Sequence, residues 1–133
     1  MTEDKIYQSV KQILVDALGV EEEEVTLEAR LTDDLGAESI DYLDIVFRME
    51  KTFGIRIDRD EMMVGSSISE EYVQEGRITD AGMEELRRRF PYGGLEALDQ
   101  SRDIRDFLHV FTVQTLVKIA AAKLVYPETT EEP

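Results

Sequence analysis

Glycine-terminated stretches with apolar residues at helical spacing decide what this chain can fold into. Ile6, Val10, Ile13, Leu14 and Ala17 share one face of a helix over residues 3–18. Thr2 is placed to cap it, Glu3 and Asp4 suit the positive end of its dipole, and Gly19 stops it. A second helix over 39–53 carries Leu43, Val46, Phe47, Glu50 and Phe53 as its stripe, with Ile40 one turn earlier, and ends at Gly54. A short helix at about 58–64 follows. Thr79 opens a helix over 80–90 that turns Met83, Leu86 and Phe90 inward, closed by Pro91 and Gly93-Gly94. The last helix, 113–125, runs Val113, Leu116, Val117, Ala120 and Leu124 behind the cap Thr112. No period-2 alternation marks a strand. The reading is an all-α bundle in a single domain over 1–133, with the tail 127–133 frayed.

Between the first two helices, residues 20–37 have no sustained period. They form a long loop pinned by Val20, Val25, Leu27, Leu31 and Leu35, with Glu21 to Glu24 as a solvated run. Acids dominate here: residues 1–64 hold 17 acids against 7 bases, most of the chain's net charge of −15. That charge disfavours nucleic-acid backbones and anionic membranes as partners and favours basic protein surfaces. With no Cys and one His, there is no disulfide, no Cys-bearing zinc site, no Cys nucleophile and a single imidazole. A self-sufficient enzyme is poorly served by that set. The N-terminus is acidic, no apolar run reaches the roughly 20 residues of a membrane span, and cytoplasmic is the default expectation.

The informative stretch is Leu31-Thr32-Asp33-Asp34-Leu35-Gly36-Ala37-Glu38-Ser39-Ile40-Asp41-Tyr42-Leu43-Asp44. It sets Ser39 in the first turn of the second helix, after a glycine-containing loop, at the positive end of the dipole. Ser is a preferred helix cap, and by itself that explains the residue. Acids crowd around it, and His109 is far away in sequence, so if Ser39 is a nucleophile another protein must supply the base.

These residues resemble the acyl carrier proteins, small four-helix bundles that carry acyl groups on a phosphopantetheine arm. The family opens its second helix with Leu-Gly-Ala/Met-Asp-Ser-Leu; here the sequence is Leu35-Gly36-Ala37-Glu38-Ser39-Ile40, followed by Asp41, Leu43, Asp44, Val46, Glu50, Phe53 and Gly54. Leu18-Gly19-Val20 upstream and Phe111-Thr112-Val113-Gln114-Thr115-Leu116-Val117 downstream are similar as well. The resemblance implies a non-catalytic carrier. A phosphopantetheinyl transferase, with Mg²⁺, would transfer 4′-phosphopantetheine from coenzyme A to Ser39, and the arm's thiol would hold an acyl group as a thioester. Implied partners are that transferase and the loading and transfer enzymes of fatty-acid, polyketide-like or other acyl pathways, met by a monomer. Glu38, Asp41 and Asp44, at i, i+3 and i+6, form the expected docking group. Glu38 replaces the family's usual Asp, and Arg48 and Lys51 stand where the family is more acidic. The alternatives are an acidic helical interaction module without an arm and an aminoacyl or aryl carrier.

The larger departure is an insertion over about 65–110, between the third and fourth helices of the bundle. Leu95, Leu98, Ile104, Phe107 and Leu108 are apolar enough to pack, so the insertion is expected to dock on the bundle near the mouth between the second and third helices. Residues 65–78, rich in Gly, Ser and Glu, are expected to be its mobile part. Arg87-Arg88-Arg89 reads as a solvated face paired Glu84–Arg88 and Glu85–Arg89. Asp58-Arg59-Asp60-Glu61 lacks the glycine and closing Glu of a calcium loop; Met49, Met62 and Met63 read as core filler, and His109, beside Leu108 and Val110, as a packed or rim histidine.

Overall fold

A computed structural model describes residues 2–57, 70–90, 95–103, 106, 109 and 111–125. Five α-helices occur among them: α1 (Glu3–Leu18), α2 (Ser39–Phe53), α3 (Asp80–Arg89), α4 (Glu96–Ser101) and α5 (Val113–Val125). The expected helix at 58–64, with Met62, Met63 and the Asp58–Glu61 run, lies outside the described residues, as do 65–69, Ile104, Phe107, Leu108 and the tail.

The bundle forms as its end signals dictate. Thr2 caps α1 by accepting from the Lys5 N–H at 3.2 Å, and Gly19 ends it in the left-handed conformation, its N–H on the Val15 carbonyl. Ile6, Val10, Ile13 and Leu14 are buried against α2 and α5. In α5, Val113, Leu116, Val117, Ile119 and Ala120 are all buried, so this short helix is the centre of the bundle. Its first turn is closed by Thr112, whose Oγ1 accepts from the Thr115 N–H at 3.2 Å. The long loop after α1 contains a 3₁₀ turn at Glu22–Glu24 and is sewn to the start of α5: Leu31 N–H to the Phe111 carbonyl, Val113 N–H to Ala29 and Gln114 N–H to Leu27, each at 3.0 Å.

α2 is rotated relative to the expected stripe. Tyr42, Ile45, Val46, Met49 and Phe53 are buried, whereas Leu43, Phe47 and Ile40 face solvent. Two contacts explain the rotation. The Tyr42 ring meets Phe111 edge-on at 5.4 Å while its hydroxyl stands 2.8 Å from Thr32 Oγ1, so a ring with a polar tip fits inside. Glu50 Oε2 accepts from the Ile57 N–H at 2.8 Å, which gives that carboxylate a partner at the edge of the bundle.

The insertion is folded where it is described. Residues 70–78, expected to be mobile, form a 3₁₀ turn (Glu70–Tyr72) and a hairpin of β1 (Val73–Gln74) with β2 (Arg77–Ile78), a two-stranded sheet that the all-α reading lacked. The strands are too short to show alternation. Their signal is the turn Glu75-Gly76, both at positive φ (53° and 79°), the conformation that matches hairpin twist. β2 then meets the residues after α4: Ile78 N–H donates to the Arg102 carbonyl at 2.7 Å, and Arg102 Nη1 returns to the Ile78 carbonyl at 3.0 Å. The same guanidinium reaches Asp80 and Asp99 at 2.9 and 3.1 Å. Thr79 caps α3 through the Gly82 N–H at 3.0 Å, and Met83, Leu86, Phe90, Leu95 and Leu98 are buried. Phe90 packs edge-on against Phe111 at 5.1 Å, which docks the insertion on the bundle beside Tyr42. In the arginine run, Arg88 and Arg89 both pair with Glu85 and Arg87 reaches Asp99 at 3.3 Å; the expected Glu84–Arg88 pair is not formed.

Gly82 lies where the 3₁₀ turn crosses α3. A Cβ there would stand 2.6 Å from the Tyr72 carbonyl oxygen and 2.8 Å from Ile78 Cγ2, and a backbone oxygen cannot swing aside. Gly82→Ala should therefore destabilise the insertion by about 1–3 kcal/mol, despite the better helix propensity of Ala. Amide hydrogen exchange should show protection lost over 80–90 and retained in α1.

Candidate functional site

The loop before α2 is built to present one residue. Leu31, Leu35 and Ala37 are buried, and the backbone winds tightly around them: Asp34 and Leu35 N–H groups donate to the Arg30 carbonyl, Gly36 N–H to Thr32 and Ala37 N–H to Leu31 at 2.8 Å. Gly36 takes a positive φ of 77°, which a side chain would resist. Arg30 holds the outside of the turn. Its N–H lies 2.8 Å from Asp34 Oδ2 and its Nη1 3.3 Å from Asp33. The Arg30 backbone N–H and guanidinium keep the Asp34 carboxyl below the usual carboxylate range. His109 Nδ1 stands 2.6 Å from Asp33 Oδ1, so the imidazole is tied to this loop rather than packed among its apolar neighbours in sequence.

Helix α2 begins at Ser39, with Glu38 as its N-cap. Glu38 N–H donates to Asp41 Oδ2 at 2.8 Å, and the two residues form a reciprocal capping box. Capping is thus done by the neighbours of Ser39. Its side chain is exposed and its hydroxyl makes no hydrogen bond among the described residues. That is the arrangement a covalent attachment needs: an accessible oxygen on a rigid first turn, with nothing to displace. Among the described residues, the nearby titratable side chains Glu38 and Asp41 are engaged with each other's backbone.

Of the acids expected to work together, Glu38 is exposed, Asp41 is half-buried and folded back on the cap, and Asp44 is held by Arg48, whose Nε is 3.1 Å from both of its oxygens. The sequence reading missed the apolar face beside them. Ile40, Leu43 and Phe47 are 70%, 43% and 56% exposed, and they are the large apolar side chains exposed among the described residues. The signal was present: α2 holds Ile40, Tyr42, Leu43, Ile45, Val46, Phe47, Met49 and Phe53, more apolar residues than one inward face accommodates.

Residues 8–70 match the family described as the phosphopantetheine attachment site. The chain is 45% identical over 62 residues to an acyl carrier protein of Petrotoga mobilis, covering 47% of this chain and 73% of that one. It is 40% identical over 67 residues to an acyl carrier protein of Thermotoga maritima, covering 50% and 83%. The chain belongs to the acyl carrier protein family. Membership brings a covalently attached 4′-phosphopantetheine and a non-catalytic carrier role, and the mostly helical fold agrees with it. The family match ends at residue 70, where the described folded segment between α2 and α5 begins. Among the described residues, no helix is long and apolar enough to cross a membrane, and no group of His, Asp and Glu could hold a metal ion.

Tyr42, which supports this site from within, makes a pH test. Burial pushes its hydroxyl up from the ordinary 10.0 to about 12. Below pH 10 the residue is protonated folded and unfolded. Between pH 10 and 12 only the unfolded chain ionises, so stability falls through that window, by an amount on the order of 2–3 kcal/mol. Tyr42→Phe should cost about 1 kcal/mol near neutral pH, for the lost Thr32 contact. It should equal or exceed the wild type at about pH 11.5 in urea denaturation.

Proposed function

We propose that Ser39 is the attachment residue and that the chain carries an acyl group for transfer enzymes of the fatty-acid or polyketide-like kind. The observation that carries this reading is the exposed hydroxyl of Ser39 at the first residue of α2, without a hydrogen bond among the described residues, with the cap supplied by Glu38 and Asp41. A phosphopantetheinyl transferase and Mg²⁺ would deliver the group from coenzyme A. The Ser39 oxygen forms the new bond to the pantetheine-side phosphorus, the phosphoanhydride of coenzyme A breaks and adenosine 3′,5′-bisphosphate leaves with the bridging oxygen, and the hydroxyl proton passes to a base on the transferase. Once attached, the group supplies a thiol that holds the acyl chain as a thioester, chemistry that a chain without Cys cannot host by itself. The capped turn fixes where the arm begins, and the Gly36 loop keeps that oxygen clear of the bundle.

Glu38, Asp41 and Asp44 are the residues we assign to steering the incoming enzyme, and Ile40, Leu43 and Phe47 to the contact that follows. Charge sets the encounter rate, and apolar burial sets how long the pair stays together.

Two measurements test the reading. Incubated with a phosphopantetheinyl transferase, Mg²⁺ and coenzyme A, the full chain should gain the mass of one phosphopantetheine. Ser39→Ala should gain none while keeping its helical circular dichroism, because the Ser39 hydroxyl makes no hydrogen bond among the described residues. A wild-type chain that stays unmodified would mean an armless interaction module. In the same assay, Glu38→Gln with Asp44→Asn should slow loading several-fold at low salt through the on-rate. The difference should shrink as ionic strength rises. Equal rates at all salt concentrations would remove these acids from the encounter.

A further inference from the structure

The exposed face of α2 has an electrical direction as well as an apolar centre. At 100° per residue, Ile40, Asp44, Phe47 and Lys51 fall at i, i+4, i+7 and i+11, one narrow wedge about 16 Å long, directly opposite the buried ridge of Tyr42, Ile45, Met49 and Phe53. The exposed N-cap Glu38 precedes its first residue, its carboxylate engaged in the capping box with Asp41, and Lys51 stands at its tail. Between them Asp44 and Arg48 cancel each other as an ion pair at 3.1 Å. Lys51 keeps its charge for outside use. It makes no ion pair among the described residues, and its Nζ lies 4.9 Å from the centre of the Phe47 ring, which holds the stem along the apolar stripe. The neighbouring acid Glu50 is turned away, bound to the Ile57 N–H.

A bland account covers part of this. An acid at the start of a helix and a lysine in its last turn both complement the helix dipole. That account leaves out Ile40, Leu43 and Phe47, which the fold leaves in water although the rest of α2 buries its large apolar groups. It also leaves out the placement of Lys51 on Phe47. Exposed apolar residues gathered on one face and flanked by opposite charges mark a contact surface with a required orientation.

We propose that this face selects a partner of matching polarity: cationic opposite Glu38, apolar opposite Ile40 and Phe47, and anionic opposite Lys51. The proposal rests on the carrier reading for its biological purpose and on charge complementarity for its content. In a chain of net charge −15, a uniformly basic site would be the simple complement. Such a site would set like charge against Lys51, which costs affinity at the tail of the helix while leaving steering at the head intact. The chain would thereby refuse generic carrier-binding sites and accept one with an acidic far end.

Two helical peptides of about 20 residues test this on the full-length protein by amide NMR titration. Both carry the same leucine stripe. The bipolar one has lysines at one end and glutamates at the other, and the basic one has lysines at both. The bipolar peptide should bind at least 5-fold more tightly, with shifts concentrated in residues 38–51, and Lys51→Glu should reverse the preference. Equal or weaker binding of the bipolar peptide, no binding of it at millimolar concentration, or a preference unchanged by Lys51→Glu would overturn the proposal. So would concentration-dependent shifts of the same residues without peptide, which would mean that a second copy covers the face. Loading of Ser39, read by mass, separates the two readings. A loaded chain without the peptide preference keeps the carrier reading and loses this one, and an unloaded chain with the preference does the reverse.

Discussion

The structure hangs on Phe111. Its ring is wedged between Tyr42 of α2 at 5.4 Å and Phe90 of the insertion at 5.1 Å, both edge-on, and its carbonyl accepts from Leu31 in the loop that leads to Ser39. One residue thus joins α2, the loop that leads into it and the segment between α2 and α5. Edge-to-face contacts of this kind add about 0.5–1.5 kcal/mol each beyond burial, and they also set direction. Tyr42 cannot turn outward without opening the ring cluster, and so α2 cannot roll to hide Ile40 and Phe47. The exposed face of α2 follows from what is packed behind it.

Around that centre the charges are arranged locally. Arg30 ties Asp33 and Asp34 within the loop, Arg48 ties Asp44 within α2, and Arg102 ties Asp80 and Asp99 within the insertion. The exposed pairs contribute little to stability. Their effect is to choose which acids stay available: Glu38 at the head of α2 is exposed and in no ion pair among the described residues, while the arginine run is largely spent on Glu85 and Asp99. Local neutralisation of this sort leaves a strongly acidic chain with a patterned surface.

Much of the bundle was legible in the sequence because its helices announce their ends. Thr2, Gly19, Gly54 and Thr79 stand at caps and stops that local chemistry alone specifies, and the start of α2 at Ser39 follows the glycine turn as expected. What was not legible depends on partners distant in sequence. Tyr42 turns inward because Phe111 and Thr32 receive it, and a periodicity argument that weighs only hydrophobicity prefers Leu43 and Phe47. His109 reaches Asp33 across 76 residues, and no local pattern announces such a pair. The hairpin at 73–78 is two residues per strand, below the length at which alternation exists, and only Glu75-Gly76 hinted at it.

The clasp between Ile78 and Arg102 has a consequence for how the chain reaches this state. α1 packs on α5 as well as on α2, so the first and last helices must find each other across the insertion. Because Ile78 and Arg102 bind each other's backbone, through Ile78 N–H to the Arg102 carbonyl and Arg102 Nη1 back to the Ile78 carbonyl, the stretch between them is removed from the span that has to close. Loop-closure entropy grows only logarithmically, and halving a loop lowers its cost by about 0.6 kcal/mol. A carrier interrupted by a self-fastening segment therefore searches for its own terminus almost as an uninterrupted one would.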